Sequence, residues 1–274
     1  MEHWTAKGTL VYRRGRCLRG WPGGMNDRDF VGDENEADTP ATRALRILGA
    51  LAKVPQASAK ELADSTQIPV STVYRMLTSL VSSGFAQKTS TKHYGAGPIA
   101  VQLSERYRDT TLTTGSVTPY LRQLAQDSGE FVAFMVAHGT EAVCVEAVDS
   151  RHMLRCCYTV GASQPLLRGA TATALLSRMP RDSRHRVFDH YRVSDETRTA
   201  IEQACTQAVA DGYAVSYGEL DAGIWGVSAP VVDGAGGLSG VVTLMAPAER
   251  SAYRSSQLIR LVRRTADFLS GGIQ

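Results

Sequence analysis

No Cys-x-x-Cys pair, no His-Glu-x-x-His run and no Gly-x-Ser-x-Gly elbow occurs in these 274 residues. The first absence, with an odd count of five cysteines, removes a disulfide framework and points to a reducing cytoplasm. The second removes the helical zinc site of a metalloprotease, and the third the serine nucleophile of an α/β-hydrolase. Gly234 to Gly237 lies between two strand-like runs and so reads as a turn, not as a phosphate cradle opening a helix. Neither a catalytic residue, a metal site nor a cofactor is assigned. No apolar run is long enough to cross a bilayer, and the Arg-rich start lacks the apolar stretch of a secretory signal. The net charge of +3 is too small to argue for nucleic-acid binding by itself, so that argument rests on where the charge lies.

What the chain does have is concentrated between Ser58 and Ser83. Ser58 followed three residues later by Glu61 is a capping box, which starts a helix with its orphan amides satisfied. Leu62 and Ala63 form its apolar side. Gln67-Ile68-Pro69 interrupts the pattern, and Pro69 suits the first position of a second helix. There Val73, Leu77, Leu80 and Val81 fall on one apolar stripe, while Ser71, Arg75, Thr78 and Ser82 fall opposite, with Thr72 beside them. Short hydroxyls and one arginine suit phosphates and base edges. Upstream, Thr42 to Val54 is an amphipathic helix offering Leu45, Leu48 and Leu51 to cover the pair. Downstream, Phe85 to Gly95 reads as a hairpin with cations beside its tip and Tyr94 packed inward. Three helices and a hairpin make a winged helix-turn-helix. The candidate DNA contacts are Ser58 and Lys60 on the first helix of the pair, Ser71, Thr72, Tyr74, Arg75 and Ser79 on the second, and Lys88, Lys92 and His93 on the wing. The plain alternative is a generic helical hairpin with a solvated polar face.

A chain of this length exceeds one ordinary domain, roughly 100 to 200 residues. Residues 1–38 carry a basic stretch and then an acidic one without hydrophobic period, and are expected to be a disordered tail, with Met25 as an alternative start. The winged module is expected at 39–98, a linker helix at 99–115, and a second domain at 116–274. That domain opens with a helix over Val117 to Asp127. Strands follow at Phe131 to His138, Glu141 to Val148 and Met153 to Val160, with Cys156 and Cys157 alternating across the last. Three helices come next, Ala170 to Arg178, Asp182 to Tyr191 and Asp195 to Ala210. Strands return at Tyr213 to Tyr217, Trp225 to Val232 and Leu238 to Met245, and a helix over Ser256 to Leu269 closes the chain. Strands, then helices, then strands indicate an α+β fold with a mainly antiparallel sheet.

These residues carry a resemblance. TRALRILGAL, ELADSTQIPVSTVYRMLTSLVSSGF, Tyr94-Gly95 with Gly97, Val160-Gly161, Pro165-Leu166 and the late stretch GYAVSYGELDAGIWGVSAPVVDGAGGLSGVVTLMAP together resemble the IclR-type transcriptional regulators from Thr39 to the C-terminus. The resemblance implies a winged helix-turn-helix joined by a linker helix to a GAF/PAS-like effector domain. It also implies a homodimer or dimer of dimers on a palindromic double-stranded operator, controlling catabolic or secondary-metabolic genes. Where members of that family carry Gly-Lys-Ala after the Pro-Leu pair, this chain has Ala172-Thr173-Ala174. By position, Ala170, Thr171, Gly226, Thr243 and Met245 match ligand-facing sites, and Ser216 or Glu219 a polar or acidic one.

Physically, free amides at a helix start favour an anion, and Met135, Trp225 and Met245 offer an apolar wall. A small organic acid or aromatic carboxylate is therefore the expected effector class. Each of these residues taken singly reads equally well as ordinary strand packing. Two further readings stay open here: a cytoplasmic sensor or enzyme whose N-terminal helices mediate protein association, and a constitutive regulator with a filled pocket.

Overall fold

A computed structural model of the chain describes residues 38–111, 117–152 and 158–272. The expected tail, apart from Asp38, and the Cys156-Cys157 pair lie outside the described residues.

The N-terminal module begins with helix α1 (Pro40–Lys53), whose first turn is closed by the Thr39 side chain accepting from the Thr42 amide. A two-residue strand β1 (Ala57–Ser58) leads into α2 (Ala59–Thr66), and a turn through Gln67 in the left-handed region leads to α3 (Val70–Ser82). Ser58 caps α2 reciprocally: its hydroxyl accepts from the Glu61 amide, and Glu61 Oε2 accepts from the Ser58 amide at 2.7 Å. Pro69 sits one place earlier than expected, as the N-cap residue of α3. Strands β2 (Ala86–Lys88) and β3 (His93–Ala96) form the wing, with β3 between β1 and β2. Ile47, Leu51, Leu62, Val73, Leu77 and Leu80 converge on one small core that Tyr94 closes from the wing. Two expected core positions differ. Leu45 is 67% exposed because the helical phase gives the buried place to Ile47. Val81 stands at the rim of the stripe and is also exposed.

Helix α4 (Ile99–Thr111) links this module to the second. There, α5 (Val117–Ser128) precedes the hairpin β4 (Phe131–His138) and β5 (Glu141–Val148), then β6 (Ser163–Pro165). Helices α6 (Gly169–Arg178), α7 (Arg181–His190) and α8 (Asp195–Asp211) follow. Strands β7 (Ala214–Tyr217), β8 (Ile224–Val232) and β9 (Leu238–Pro247), a short α9 (Ala248–Ser251) and α10 (Ser255–Gly272) complete the chain. The strands form one antiparallel sheet in the order β6-β5-β4-β9-β8-β7. The expected strand beginning at Met153 lies largely outside the described residues, and Tyr158 to Val160 belong to no strand. The strand beside β5 is β6, which sequence reading passed over because three residues are too few to show a period.

Both sheet faces are covered. Val132, Phe134, Trp225, Val227 and Leu244 pack under α5 and α10. Phe131, Met135, Val241 and Met245 pack under α6, α7 and α8. Alternate residues of each strand serve opposite layers, and this parity decides which side chains reach the site described next.

Candidate functional sites

The first site is the exposed face of α3. Val73, Leu77 and Leu80 turn inward and fix the rotation of the helix, which leaves Ser71, Tyr74, Arg75, Thr78 and Ser79 exposed and Thr72 half-buried. No acidic residue lies on α3, so nothing on that helix opposes a phosphate. The Thr78 hydroxyl donates to the Tyr74 carbonyl, and the hydroxyl of Ser82 donates to the Ser79 carbonyl. Lys60 is exposed on α2. Ser58 is half-buried with its hydroxyl engaged in the cap, which leaves it less free than the α3 hydroxyls. On the wing Lys88 and Lys92 are exposed; Lys88 Nζ stands 6.0 Å from the centroid of Tyr94, and His93 Nδ1 lies 3.1 Å from Ser90 Oγ. Recognition helix and wing thus present cations and hydroxyls over a common module, the arrangement that fits a major groove and its flanking backbone.

The second site is a cleft between the start of α6 and strands β7, β8 and β9. Ala170, Thr171, Ser216, Glu219, Gly226, Thr243 and Met245 all line it, although 75 positions separate the first from the last. Register brings them together: Ser216 pairs with Gly226, and Gly226 with Met245. Gly226 is needed for close approach, because a Cβ there would stand 3.1 Å from Ser216 Oγ and 3.8 Å from Ala170 Cβ. Under the cleft lie three buried hydroxyls. Thr171 Oγ1 is 3.0 Å from Thr243 Oγ1, which is 2.9 Å from Ser228 Oγ, with 3.4 Å between Thr171 and Ser228. Each can donate once and accept once around the ring, so burial leaves none unsatisfied. In this state the cavity is about 10 Å³, room for a single water.

The mouth is set by the turn between β7 and β8. Glu219 Oε2 accepts from the Gly169 amide at 2.9 Å, so a carboxylate of the chain itself takes up one of the orphan donors at the start of α6. Gly169 has φ +89, and a Cβ there would come within 2.9 Å of a Leu220 methyl. Leu220 thereby covers the helix start beside Glu219.

Two expected wall residues do not reach this cleft. Trp225 alternates with Gly226 along β8 and therefore points into the opposite layer, under α5 and α10. Met135 is on the correct face but on β4, where it is buried in the layer core rather than lining the cleft. The apolar wall is supplied by Met245, as expected, with Tyr158, Leu220 and Ile224. Ser228 was also missed, although it shares the face of Gly226 and pairs with Thr243, so period-two alternation contains the signal. Among the described residues no cluster of His, Cys, Asp and Glu could hold a metal ion. Burial pushes the Cys144 thiol up to about 12 and the Cys205 thiol up to about 11, which disfavours the reactive thiolate at both. No helix among the described residues is long and apolar enough to cross a membrane.

Comparison with known proteins matches both modules. Residues 40–90 match the IclR helix-turn-helix domain, and residues 107–271 match the bacterial transcriptional regulator IclR C-terminal domain. The chain is 26% identical over 195 residues to the HTH-type transcriptional regulator KipR of Bacillus subtilis, covering 69% of this chain and 78% of KipR. It is 26% identical over 239 residues to the HTH-type transcriptional repressor AllR of Klebsiella pneumoniae, covering 83% and 87%. A crystal structure of an IclR transcriptional regulator from Silicibacter sp. TM1040 superposes with a TM-score of 0.75 at 18% identity, covering 86% of this chain and 96% of that one, which bears on the fold alone. The relatives are transcriptional regulators, so the association-module reading of the N-terminal helices is not favoured. With both halves matched by the family's own domains, the chain belongs to the IclR family and is a ligand-responsive, DNA-binding transcriptional regulator.

Proposed function

We propose that a homodimer or dimer of dimers of this chain reads a palindromic operator with α3 in the major groove and the wing on the flanking backbone. Tyr74, Arg75, Ser71, Thr72 and Ser79 are the groove-facing set. Lys60, Lys88, Lys92 and His93 are the phosphate set, with Ser58 beside them at the start of α2. The functional boundaries follow the expected division at 39–98, 99–115 and 116–274, and the genes controlled are catabolic or secondary-metabolic.

The effector is a small molecule with a compact apolar or aromatic body, held where α6 meets β7, β8 and β9. The observation that carries this reading is the convergence of Ala170, Thr171, Ser216, Gly226, Thr243 and Met245 on one cleft. Its closed volume means that a ligand enters by moving the Glu219-Leu220 turn, which couples occupancy to conformation. The test is Gly226→Val in the full chain, with DNA affinity measured before and after adding a small-molecule extract of the source organism. The variant should bind operator as the parent does and lose the response to extract. A variant that keeps the full response moves the effector site elsewhere.

A further inference from the structure

We infer that the cleft selects an uncharged, oxygen-bearing effector and discriminates against the carboxylic acids that an open helix start would favour. The inference rests on the cleft being the effector site and adds the chemistry of its occupant.

Three independent features support it. One donor of the anion seat is already taken and a negative charge already stands there, because Glu219 Oε2 accepts from the Gly169 amide. Among the described residues no arginine, lysine or histidine lines the cleft, so an entering carboxylate meets a like charge at the mouth and no counter-charge from them inside. The hydroxyls of Thr171, Ser228 and Thr243 bond one another under the cleft. Two anions a few ångströms apart repel, and stripping water from an uncompensated carboxylate costs more than stripping it from an amide or alcohol.

What remains available defines the ligand. Ala170 and Thr171 stand in the first turn of α6, where amides have no acceptor within the helix, and they suit a carbonyl or hydroxyl oxygen. Glu219 at the mouth suits a hydroxyl or amide N–H donor. Leu220, Ile224 and Met245 suit an apolar body. A compact ring or branched chain bearing an alcohol, amide or ketone meets all three requirements; its carboxylate analogue fails at Glu219.

The experiment uses the full chain and three probes that share one ring: benzyl alcohol, benzamide and benzoate. Binding is read by thermal shift and by titration calorimetry, on the parent and on Glu219→Gln. In the parent, the alcohol and amide should bind more tightly than benzoate by roughly fivefold or more, the factor that a like charge about 4 Å away yields even at the dielectric of bulk water. In Glu219→Gln the discrimination should fall to about parity, with the neutral probes little changed. Benzoate binding the parent as tightly as the neutral probes overturns the inference and leaves the cleft standing as effector site. Discrimination that survives unchanged in Glu219→Gln also overturns it, because Glu219 is then not the filter. No binding by any of the three overturns it too, and whether the cleft is the effector site is then decided separately by the response of Gly226→Val to extract.

Discussion

Lys53 Nζ, at the end of α1, lies 2.9 Å from Glu141 Oε1, at the start of β5, so the two modules are joined by an ion pair. The other oxygen of Glu141 accepts from Ser163 Oγ at 3.0 Å, and Ser163 begins the strand that leads within a few residues to Gly169 at the cleft. The DNA-binding module therefore touches the effector domain where the segment entering α6 is anchored. Both side chains are partly solvated, and such pairs are typically worth about 0.2–1 kcal/mol. In a double-mutant cycle on Lys53→Ala and Glu141→Gln, the coupling energy for unfolding should fall in that range and shrink in high salt. A salt-independent coupling above about 2 kcal/mol would mean a desolvated, rigid junction.

Arg75 should act on affinity and not on folding. It is exposed on α3 and, among the described residues, makes no ion pair, so Arg75→Ala removes no fold contact. If it engages a guanine edge bidentately, its loss costs about 1–3 kcal/mol of specific affinity. Anisotropy titration of the operator, with circular dichroism to verify folding, makes the measurement. An unchanged affinity in a folded variant takes Arg75 out of the interface.

The wing should behave differently. Lys88→Ala and Lys92→Ala are expected to weaken operator and unrelated duplex alike, and each to reduce the slope of log affinity against log salt by about one. Lys88 also rests near Tyr94, so its replacement calls for a stability control. Loss confined to the operator, with the slope intact, would place these lysines on base edges instead.

Much of this was legible in the sequence, and the parts that were not share a physical reason. The capping box at Ser58 and Glu61 is a local signal and fixes the start of α2. Aromatic and β-branched enrichment, with turn signals at Gly139 and Asp149-Ser150, likewise marks β4 and β5 to the residue. The cleft depends on cross-strand register and on which face each residue takes. Gly226 and Trp225 are neighbours in the chain yet serve opposite layers; choosing both for one pocket ignores the two-residue period of a strand. Leu220 and Tyr158 come from irregular segments, where no period points a side chain, and only the folded chain brings them to the wall.

The α2 cap supplies a prediction in pH. The backbone N–H of Ser58 holds the Glu61 carboxyl below its ordinary value, with the Ser58 side chain adding to the effect. A carboxyl with a lowered folded-state pKa contributes stability that is fully present above its unfolded pKa and is lost as pH falls through the folded value. Ser58→Ala keeps the backbone N–H and removes only the side-chain share of that effect. It should cost about 0.5–2 kcal/mol near neutrality, and the part of the difference that depends on the Glu61 charge should fade on acidification below the ordinary glutamate range. Urea unfolding of both proteins across that interval decides it; a gap that widens with acid would assign the loss to something other than the cap.

Thr171 gives the sharpest separation of stability from DNA binding. Its hydroxyl closes the ring with Thr243 and Ser228, all three nearly inaccessible to solvent. Thr171→Val keeps the shape and removes one hydroxyl, leaving two buried groups to share a single bond. One donor or acceptor is then unsatisfied, at about 1–3 kcal/mol. Thr171→Ser restores the hydroxyl at the expense of a methyl group and should recover part of that loss. Neither change touches α3 or the wing, so apo-protein affinity for operator should match the parent. Thermal unfolding together with operator titration tests both halves. If Thr171→Val is as stable as the parent, the ring is not a closed network. If it also alters apo DNA affinity, the start of α6 biases the DNA-binding module even in the absence of ligand.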